Sequence, residues 1–252
     1  MILKWNEIKK VYERRINRMK TLILISHPQF EDSGTQQFLK TSFYSLDDVK
    51  YQVIDELYSS SESGQIDVDK EQAAMTDFDR IVFQFPMYWY SSPASLKQFM
   101  DDIFTRNYVV ANRSLKTKEL GIVVTLGDSE ADFQAGGKEQ FTVSELLRPF
   151  QAFANKAGMT YLKPFVVNQF GYKDPAEKEQ LLVAYLQYLS AEMPLSLEHR
   201  EQWLVARLQA TKEGKADDQV QAIDLVINSL EDQQATVESL KQDVKMIRDQ
   251  EE

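Results

Sequence analysis

The sequence predicts an α/β protein built on a doubly wound parallel sheet of five strands in the order 2-1-3-4-5. Three observations predict it: five strand-like runs, helical patterns between them, and the nearly continuous apolar character of most of these runs. Strands that are apolar on both faces are typical of a parallel sheet covered by helices on both sides. Right-handed crossovers between such strands then favour the doubly wound order.

The predicted elements alternate along the middle of the chain. The strands are Thr21–Ser26, Tyr51–Leu57, 81–86, Leu120–Thr125 and Phe165–Phe170. The second strand alternates only in part, whereas the others are almost wholly apolar. Helical spacing is expected near 34–45, 67–77, 94–105, 141–157 and 174–192.

Charge and apolar spacing divide the chain into three parts: 1–18, 19–195 and 196–252. The first part holds six Lys/Arg and two Glu, and the last holds seven Lys/Arg and thirteen Asp/Glu. For 1–18 we prefer an extension upstream of a functional domain that begins at Met19. A helix packed on the acidic tail and a membrane-surface helix are the alternatives.

The acidic tail has the apolar spacing of a long amphipathic helix. Its apolar residues follow one another at steps of three and four, with Gln233 in one position of the seam: Ile223, Val226, Leu230, Val237, Leu240, Val244 and Ile247. This pattern predicts a C-terminal helical extension that forms a coiled coil or a helical hairpin, with a break at Lys212–Lys215. A helix packed on its own domain is equally compatible with the pattern.

Composition excludes several classes of function. A net charge of −10 argues against nonspecific binding to nucleic acid or to an anionic membrane. Without cysteine there are no thiolate metal sites, and His27 and His199 are too few for a multi-histidine site, so no metal is expected. No run reaches the ~18 apolar residues of a membrane span, and no secretory signal is evident. We therefore predict a cytoplasmic protein without membrane insertion.

Three aromatic residues, Tyr88, Trp89 and Tyr90, directly follow the third strand and its Pro86-Met87 end. Ligands of open α/β sheets bind at the carboxyl ends of the strands, and loop aromatics offer a stacking surface there. The run therefore predicts a site for a planar ligand. A hydrophobic patch for a partner subunit is the alternative, and a dimer could satisfy both.

The loop after the first strand has the features of a phosphate site. Ser33, Gly34 and Thr35 open a helix whose free backbone N–H groups can hold an anion, and His27 can add a hydrogen bond or a charge. Ordinary capping of the helix by Ser33 is the alternative. Neither the Walker signature nor the GxGxxG fingerprint is present.

The loop after the fourth strand begins Thr125-Leu126-Gly127-Asp128. Its glycines would let the backbone approach a flat ligand closely, although taken alone it is only a flexible loop.

With these three loops, the chain from about Met19 to Pro194 resembles the NAD(P)H:quinone reductase family. That family has a flavodoxin-like fold and includes DT-diaphorase and the potassium-efflux ancillary reductases. The resemblance rests on 26–36, 85–97 and 125–137, and 141–159 is also similar to the family. It departs at Gln36, where the family has Asn. It departs also at about Phe133 and Glu139, where DT-diaphorase has a Tyr and a His that assist proton movement, so that relay is not implied here.

The resemblance implies a bound flavin, FAD or FMN, with NAD(P)H as co-substrate. It implies that the flavin N5 carries the hydride, that no protein side chain is assigned as catalytic, and that Tyr88, Trp89 and Phe133 line the acceptor slot. The implied cofactor contacts are His27, Ser33, Thr35 and Gln36 at the phosphate region, and Pro86, Met87, Tyr88, Trp89, Tyr90, Thr125, Leu126, Gly127 and Asp128 at the ring.

The implied activity is hydride transfer from NAD(P)H through the flavin to quinones or similar electrophilic aromatic acceptors. The implied assembly is a homodimer with its site at the interface. An electron-transfer flavoprotein is one alternative. A regulatory subunit of the potassium-efflux ancillary type, whose 196–252 tail binds a protein partner, is another.

Overall fold

The computed structural model describes residues 19–61 and 64–251 of the 252-residue chain. The predictions for 1–18 lie outside the described residues. Two compact units are present, and their described parts are 19–190 and 191–251.

A parallel sheet forms the centre of the first unit and has the predicted strand order. Its strands are β1 (Thr21–Ile25), β2 (Val49–Val53), β3 (Arg80–Pro86), β4 (Glu119–Leu126), β5 (Thr160–Tyr161) and β6 (Phe165–Asn168). The order is β2-β1-β3-β4-β5, and β6 also pairs with β4. Two short strands therefore fill the fifth position, where the sequence predicted one continuous strand.

Strands β1 and β3 are buried along their whole length, and β4 is buried from Leu120 to Val124. This burial on both faces explains their continuous apolar sequences. The helices of this unit are α1 (Gly34–Ser42), α2 (Ile54–Ser59), α3 (Val68–Ala74), α4 (Ala94–Ile103), α5 (Val143–Leu146), α6 (Arg148–Ala157) and α7 (Pro175–Ser190).

Two predicted elements are wrong in their boundaries. The strand predicted at Tyr51–Leu57 ends at Val53, and α2 begins at the next residue with Asp55 and Glu56 in its first turn. Acidic residues near a helix N-terminus favour the helix over a longer strand. The helix predicted at 141–157 is divided at Leu147, because Pro149 lies at the start of α6 and cannot donate the backbone hydrogen bond of a continuous helix.

The second unit contains α8 (Leu197–Ala210) and α9 (Asp217–Glu251), which pack against each other. The Ser196 Oγ accepts a hydrogen bond from the His199 N–H at 3.1 Å and caps α8. The predicted break at Lys212–Lys215 is confirmed, with Gly214 in the left-handed region at φ 75°. Within the described residues, no helix combines the length and the apolar character needed to span a bilayer.

Gly121 in β4 provides a test of the core. A Cβ atom at this position would lie 2.9 Å from the Tyr188 hydroxyl and 3.2 Å from Val82 Cγ2. The same hydroxyl accepts a hydrogen bond from the Ile122 N–H at 2.9 Å, so it cannot move without losing that bond. We expect Gly121→Ala to lower the free energy of unfolding by about 1–3 kcal/mol in a urea titration. Gly171→Ala is the matched control, because its added Cβ would meet no described atom within 4 Å. Equal stability of both variants would contradict this prediction.

Candidate functional site

The three predicted site loops begin at one edge of the sheet. Ile25 pairs with Gln84 and Pro86 pairs with Thr125, so β1, β3 and β4 end close to one another. Direct hydrogen bonds connect the segments that follow. The Ser26 and Ser95 hydroxyls are 2.7 Å apart, and the Met87 N–H donates to the Thr125 carbonyl at 3.0 Å. The topology thus brings the predicted site segments together at the carboxyl edge.

His27 is held in place by its neighbours on both sides. Its backbone N–H donates to Asp55 Oδ2 at 2.8 Å, and its Nδ1 accepts from the Gln29 N–H at 3.1 Å. Burial lowers the pKa of His27, and the nearby Asp55 carboxylate only partly opposes that shift. The ring is therefore neutral at pH 7, and its proton lies on Nε2 because Nδ1 accepts a hydrogen bond. Of the two predicted contributions, the ligand-free protein therefore offers the hydrogen bond, from Nε2.

The start of α1 combines ordinary capping with free donors. Ser33 Oγ accepts from the Gln36 N–H at 3.4 Å, so the capping alternative is confirmed. The N–H groups of Gly34 and Thr35 lie in the first turn, where a helix has no acceptors of its own. A Cβ at Gly34 would have open space among the described atoms, and Gly34 does not have a left-handed backbone. The fold does not itself require glycine here, and the space beside the free donors can admit a ligand.

Gln36 is fully buried and belongs to a series of hydrogen-bonded polar side chains. Its Oε1 accepts from Gln84 Nε2 at 2.6 Å, and Gln84 Oε1 accepts from the Tyr185 hydroxyl at 2.6 Å. The Gln36 Nε2 is buried without a hydrogen-bond acceptor among the described residues. Such an unmade hydrogen bond costs about 1–3 kcal/mol. Because the atom is also closed to solvent, a ligand could accept from it only after neighbouring side chains move.

Trp89 and Tyr90 form a tight turn at the end of the predicted aromatic loop. The backbones of Tyr88 and Ser91 exchange two hydrogen bonds of 2.9 and 3.0 Å around it. Both turn residues have a left-handed backbone, with φ of 47° and 64°. This geometry favours Asn-Gly, and for other residues it costs about 1 kcal/mol or more per residue. Trp89 is also 93% exposed. Backbone strain beneath an exposed indole is typical of a binding site.

A hydrogen bond joins this turn to the loop after β4. The Tyr90 hydroxyl donates to Glu139 Oε2 at 2.7 Å, and the Glu139 N–H donates to the Asp132 carbonyl at 3.0 Å. The hydrogen bond to Glu139 and its negative charge raise the pKa of Tyr90, so the phenol stays protonated. In the sequence, Glu139 is notable only as a departure from DT-diaphorase. No local sequence signal pairs it with a residue 49 positions away.

Two glycines of the loop after β4 differ in the space that surrounds them. A Cβ at Gly137 would lie 2.5 Å from the carbonyl oxygens of Ala131 and Asp132, so the fold requires glycine there. Gly127 is exposed, and an added Cβ would meet no described atom within 4 Å. Gly127 and Gly34 therefore present open backbone after β4 and β1.

The profile of a family described as a flavodoxin-like fold, Flavodoxin_2, matches residues 19–191. This chain belongs to that family. The predicted resemblance to NAD(P)H:quinone reductases is confirmed by relatives that match this chain over nearly their full length. The described residues after 191, including α8 and α9, lie outside the family match.

Two relatives at about 43% identity carry oxidoreductase names. The uncharacterized NAD(P)H oxidoreductase YrkL of Bacillus subtilis is 43% identical, and the match covers 67% of this chain and 98% of that protein. The structure of an NADPH-quinone reductase from P. pentosaceus is 44% identical, with a TM-score of 0.62 and coverage of 68% and 98%. A third structure is general stress protein 14 of Treponema denticola in complex with FMN. It is 30% identical, with a TM-score of 0.59 and coverage of 68% and 97%.

The predicted site residues of this flavodoxin-like domain differ in their exposure to solvent. Tyr88 and Tyr90 are about half exposed, and Gly127 and Asp128 are exposed. Pro86 and Leu126 are buried at the strand ends, and Met87 and Thr125 are intermediate.

The family resemblance implies that Phe133 lines the acceptor slot, and the structure corrects this. The ring is 5% exposed and belongs to the hydrophobic core cluster. It ends the 3-10 turn Glu130–Phe133, and burying an apolar ring beneath a polar loop is favourable. The slot prediction therefore rests on Tyr88 and Trp89.

Proposed function

We propose that this protein is a flavin-dependent NAD(P)H oxidoreductase that reduces quinones or similar electrophilic aromatic acceptors. The observation that carries the proposal is the strained, exposed turn at Trp89 and Tyr90. This turn follows β3, and α1 with its free backbone donors follows β1, so both lie at the same edge of the sheet. The oxidoreductase names of the relatives at 43% and 44% identity support it. We assign the activity to residues 19–195 and leave 196–252 outside it.

The phosphate end of a flavin nucleotide fits the donors near the start of α1. Free backbone N–H groups at Gly34 and Thr35 can bind an anion, and the hydroxyls of Ser33 and Thr35 add donors. The neutral His27 can donate from Nε2, and we propose that Gln36 turns its unpaired Nε2 toward the phosphate when the nucleotide binds. We propose FMN as the cofactor, supported by the FMN complex of the Treponema denticola relative. FAD is the alternative.

The ring end fits the aromatic turn and the loop after β4. Trp89 and Tyr88 offer faces for stacking, and the open backbone at Gly127 allows a flat ring to approach closely. We propose that Pro86, Met87 and Tyr90 contact the ring from one side, and that Thr125, Leu126 and Asp128 contact it from the other. A bound flavin supplies the hydride chemistry, while the protein binds and orients the reacting molecules.

We propose that the active assembly is a homodimer in which a second copy completes the site. Tyr88, Trp89 and Tyr90 form an apolar surface that a folded protein rarely leaves to solvent. NAD(P)H and the acceptor would then use the same aromatic surface in turn. The electron-transfer and regulatory-subunit alternatives stay predictions.

The test of this function is an anaerobic redox cycle on the purified full-length protein loaded with FMN. We expect NADPH or NADH to bleach the bound flavin and a small benzoquinone to restore its absorption. A flavin that neither nucleotide reduces, but that chemical reductants do, would contradict the enzyme and favour an electron carrier.

The Tyr90–Glu139 hydrogen bond gives a prediction about positioning. Because it joins the aromatic turn to the loop after β4, Tyr90→Phe is expected to weaken FMN binding about threefold to tenfold, with little effect on folding. Glu139→Ala, which removes the acceptor, is expected to have a similar effect, and the double variant no larger one, since all three remove one interaction. Fluorescence titration of FMN measures this. Additive losses would show that the two side chains act independently.

A further inference from the structure

The second half of α9 has an apolar seam that α8 is too short to cover. At about 1.5 Å per residue, the 35 residues of α9 span about 52 Å and the 14 residues of α8 span about 21 Å. In the first half the buried side chain is Ile227, at 4% exposure, whereas its neighbour Val226 is 49% exposed. In the second half Leu240, Val244 and Ile247 are 57%, 56% and 59% exposed.

The apolar seam of α9 keeps heptad spacing, with polar Gln233 at one position. Position a is occupied by Ile223, Leu230, Val237 and Val244, and position d by Val226, Gln233, Leu240 and Ile247. Apolar residues at a and d are what a second helix needs to pack knobs into holes. Ile227, the residue buried in the first half, lies at position e, and Val226 at d stays exposed there, so packing on α8 does not account for apolar residues at d. The spacing therefore indicates another helix along the second half of α9.

We propose that this helix is the α9 of a second copy of the chain, in a parallel two-stranded coiled coil centred on 237–247. Valine at the a positions 237 and 244, with Leu240 at d, is the pattern that favours two parallel strands. The inference concerns the tail alone and does not depend on the proposed flavin chemistry.

The flanking charges favour the parallel arrangement. In a parallel pair, the g position of one helix lies opposite the e position of the next heptad in the other. Asp243 of one copy then faces Arg248 of the other, and Thr236 faces Lys241. An antiparallel pair would instead bring e positions together and place Lys241 and Arg248 near each other with like charge.

The same charges argue against the basic 1–18 segment as the covering helix. All three Lys/Arg residues of α9 lie in this half: Lys241, Lys245 and Arg248. The same half also carries Glu238, Asp243, Asp249 and Glu251. Of the three charges at e and g beside the seam, however, two are basic, Lys241 and Arg248, and would repel a segment with six Lys/Arg and two Glu. A second α9 instead carries the Asp243 that pairs with Arg248.

About two heptads bury few side chains, so the pairing alone is expected to be weak. It contributes most when another surface of the same chain also self-associates, because the second contact is then effectively intramolecular.

A single introduced cysteine tests the proposal, since the chain has none of its own. Position a lies at the helix interface, so in the full-length Val244→Cys variant the two sulfurs come within disulfide reach only if the helices pair in register. Met246→Cys is the matched control, because Met246 is 57% exposed on the same turn but at position c, off the seam. Under mild oxidation we expect the Val244→Cys dimer to form at least about tenfold faster than the control dimer. Equal rates, or no covalent dimer, would overturn the proposal.

A second set of variants distinguishes helix pairing from misfolding. It also distinguishes a second α9 from the 1–18 segment as the covering helix. Adding Leu240→Glu and Ile247→Glu to Val244→Cys is expected to abolish the rapid cross-link, whereas adding Met246→Glu is not. Circular dichroism checks that the helix content is kept. A cross-link that persists with both glutamates would overturn the proposal. So would one that forms only after residues 1–18 are removed, because that segment would then be the covering helix.

Discussion

The Trp89→Ala variant is expected to bind FMN about 10- to 100-fold more weakly than the wild-type protein, because stacking of a base on an aromatic side chain contributes about 1–3 kcal/mol. Its free energy of unfolding is expected to stay within about 0.5 kcal/mol of the wild type, since Trp89 is 93% exposed and little packing is lost. Alanine would keep the left-handed backbone at this position, so no strain is relieved. FMN titration followed by flavin fluorescence, together with urea denaturation, measures both quantities.

Trp89→Phe is the matched variant, because it keeps an aromatic ring of smaller area on the same turn. We expect it to lose less FMN affinity than Trp89→Ala does. Unchanged FMN affinity in both variants would mean that the ring lies elsewhere. A large loss of folding stability in the alanine variant would mean that the indole serves packing rather than a ligand.

Gly34→Asp is expected to change protein stability and phosphate binding in opposite directions. The added side chain has open space, and the first turn of α1 has no acidic residue, so a carboxylate there should stabilise the helix by about 0.3–1 kcal/mol. The same charge would lie beside the FMN phosphate. Repulsion at a distance of a few ångströms near a protein surface should weaken FMN binding by about 10- to 100-fold at low salt, and by less at high salt.

Two controls for Gly34→Asp are needed. One separates the effect of charge from that of side-chain size, and the other separates binding of the FMN phosphate from binding of the ring. Gly34→Asn adds a side chain of the same shape without the charge, so we expect it to lose much less FMN affinity than Gly34→Asp, and the loss that the two variants share measures size alone. Riboflavin has the ring without the phosphate, so its affinity should be nearly the same for the two substituted proteins. If the aspartate variant weakened riboflavin and FMN equally, the start of α1 would not be the phosphate site.

The strand order could be predicted because the burial of each strand is visible locally. Leu22–Ile25 and Ile81–Phe85 are buried on both faces, and continuous apolar runs report that directly. The end of β2 could not be predicted in the same way. Val53 and Ile54 are both buried and β-branched, but one ends a strand and the other begins a helix. A local pattern cannot distinguish these states when tertiary packing suits both.

The candidate site was predictable as a set of loops but not in its side-chain partners. The position of Trp89 after a buried strand was enough to place it at the carboxyl edge. The burial of Gln36 depends on Gln84, 48 residues away, and Gln84 in turn depends on Tyr185, 101 residues away. The Tyr90–Glu139 hydrogen bond likewise joins residues far apart in the sequence. Its effect on the aromatic turn can be seen only in the folded chain.

The central claim is that one edge of the sheet binds a flavin nucleotide, with the phosphate at the start of α1 and the ring against Trp89. The most direct measurement is a fluorescence titration of flavin-free full-length protein with FMN, FAD and riboflavin in parallel. We expect saturable binding of FMN at one site per chain and weaker binding of riboflavin, because riboflavin lacks the phosphate. Protein that binds neither FMN nor FAD would contradict the account, and so would protein that binds riboflavin as tightly as FMN.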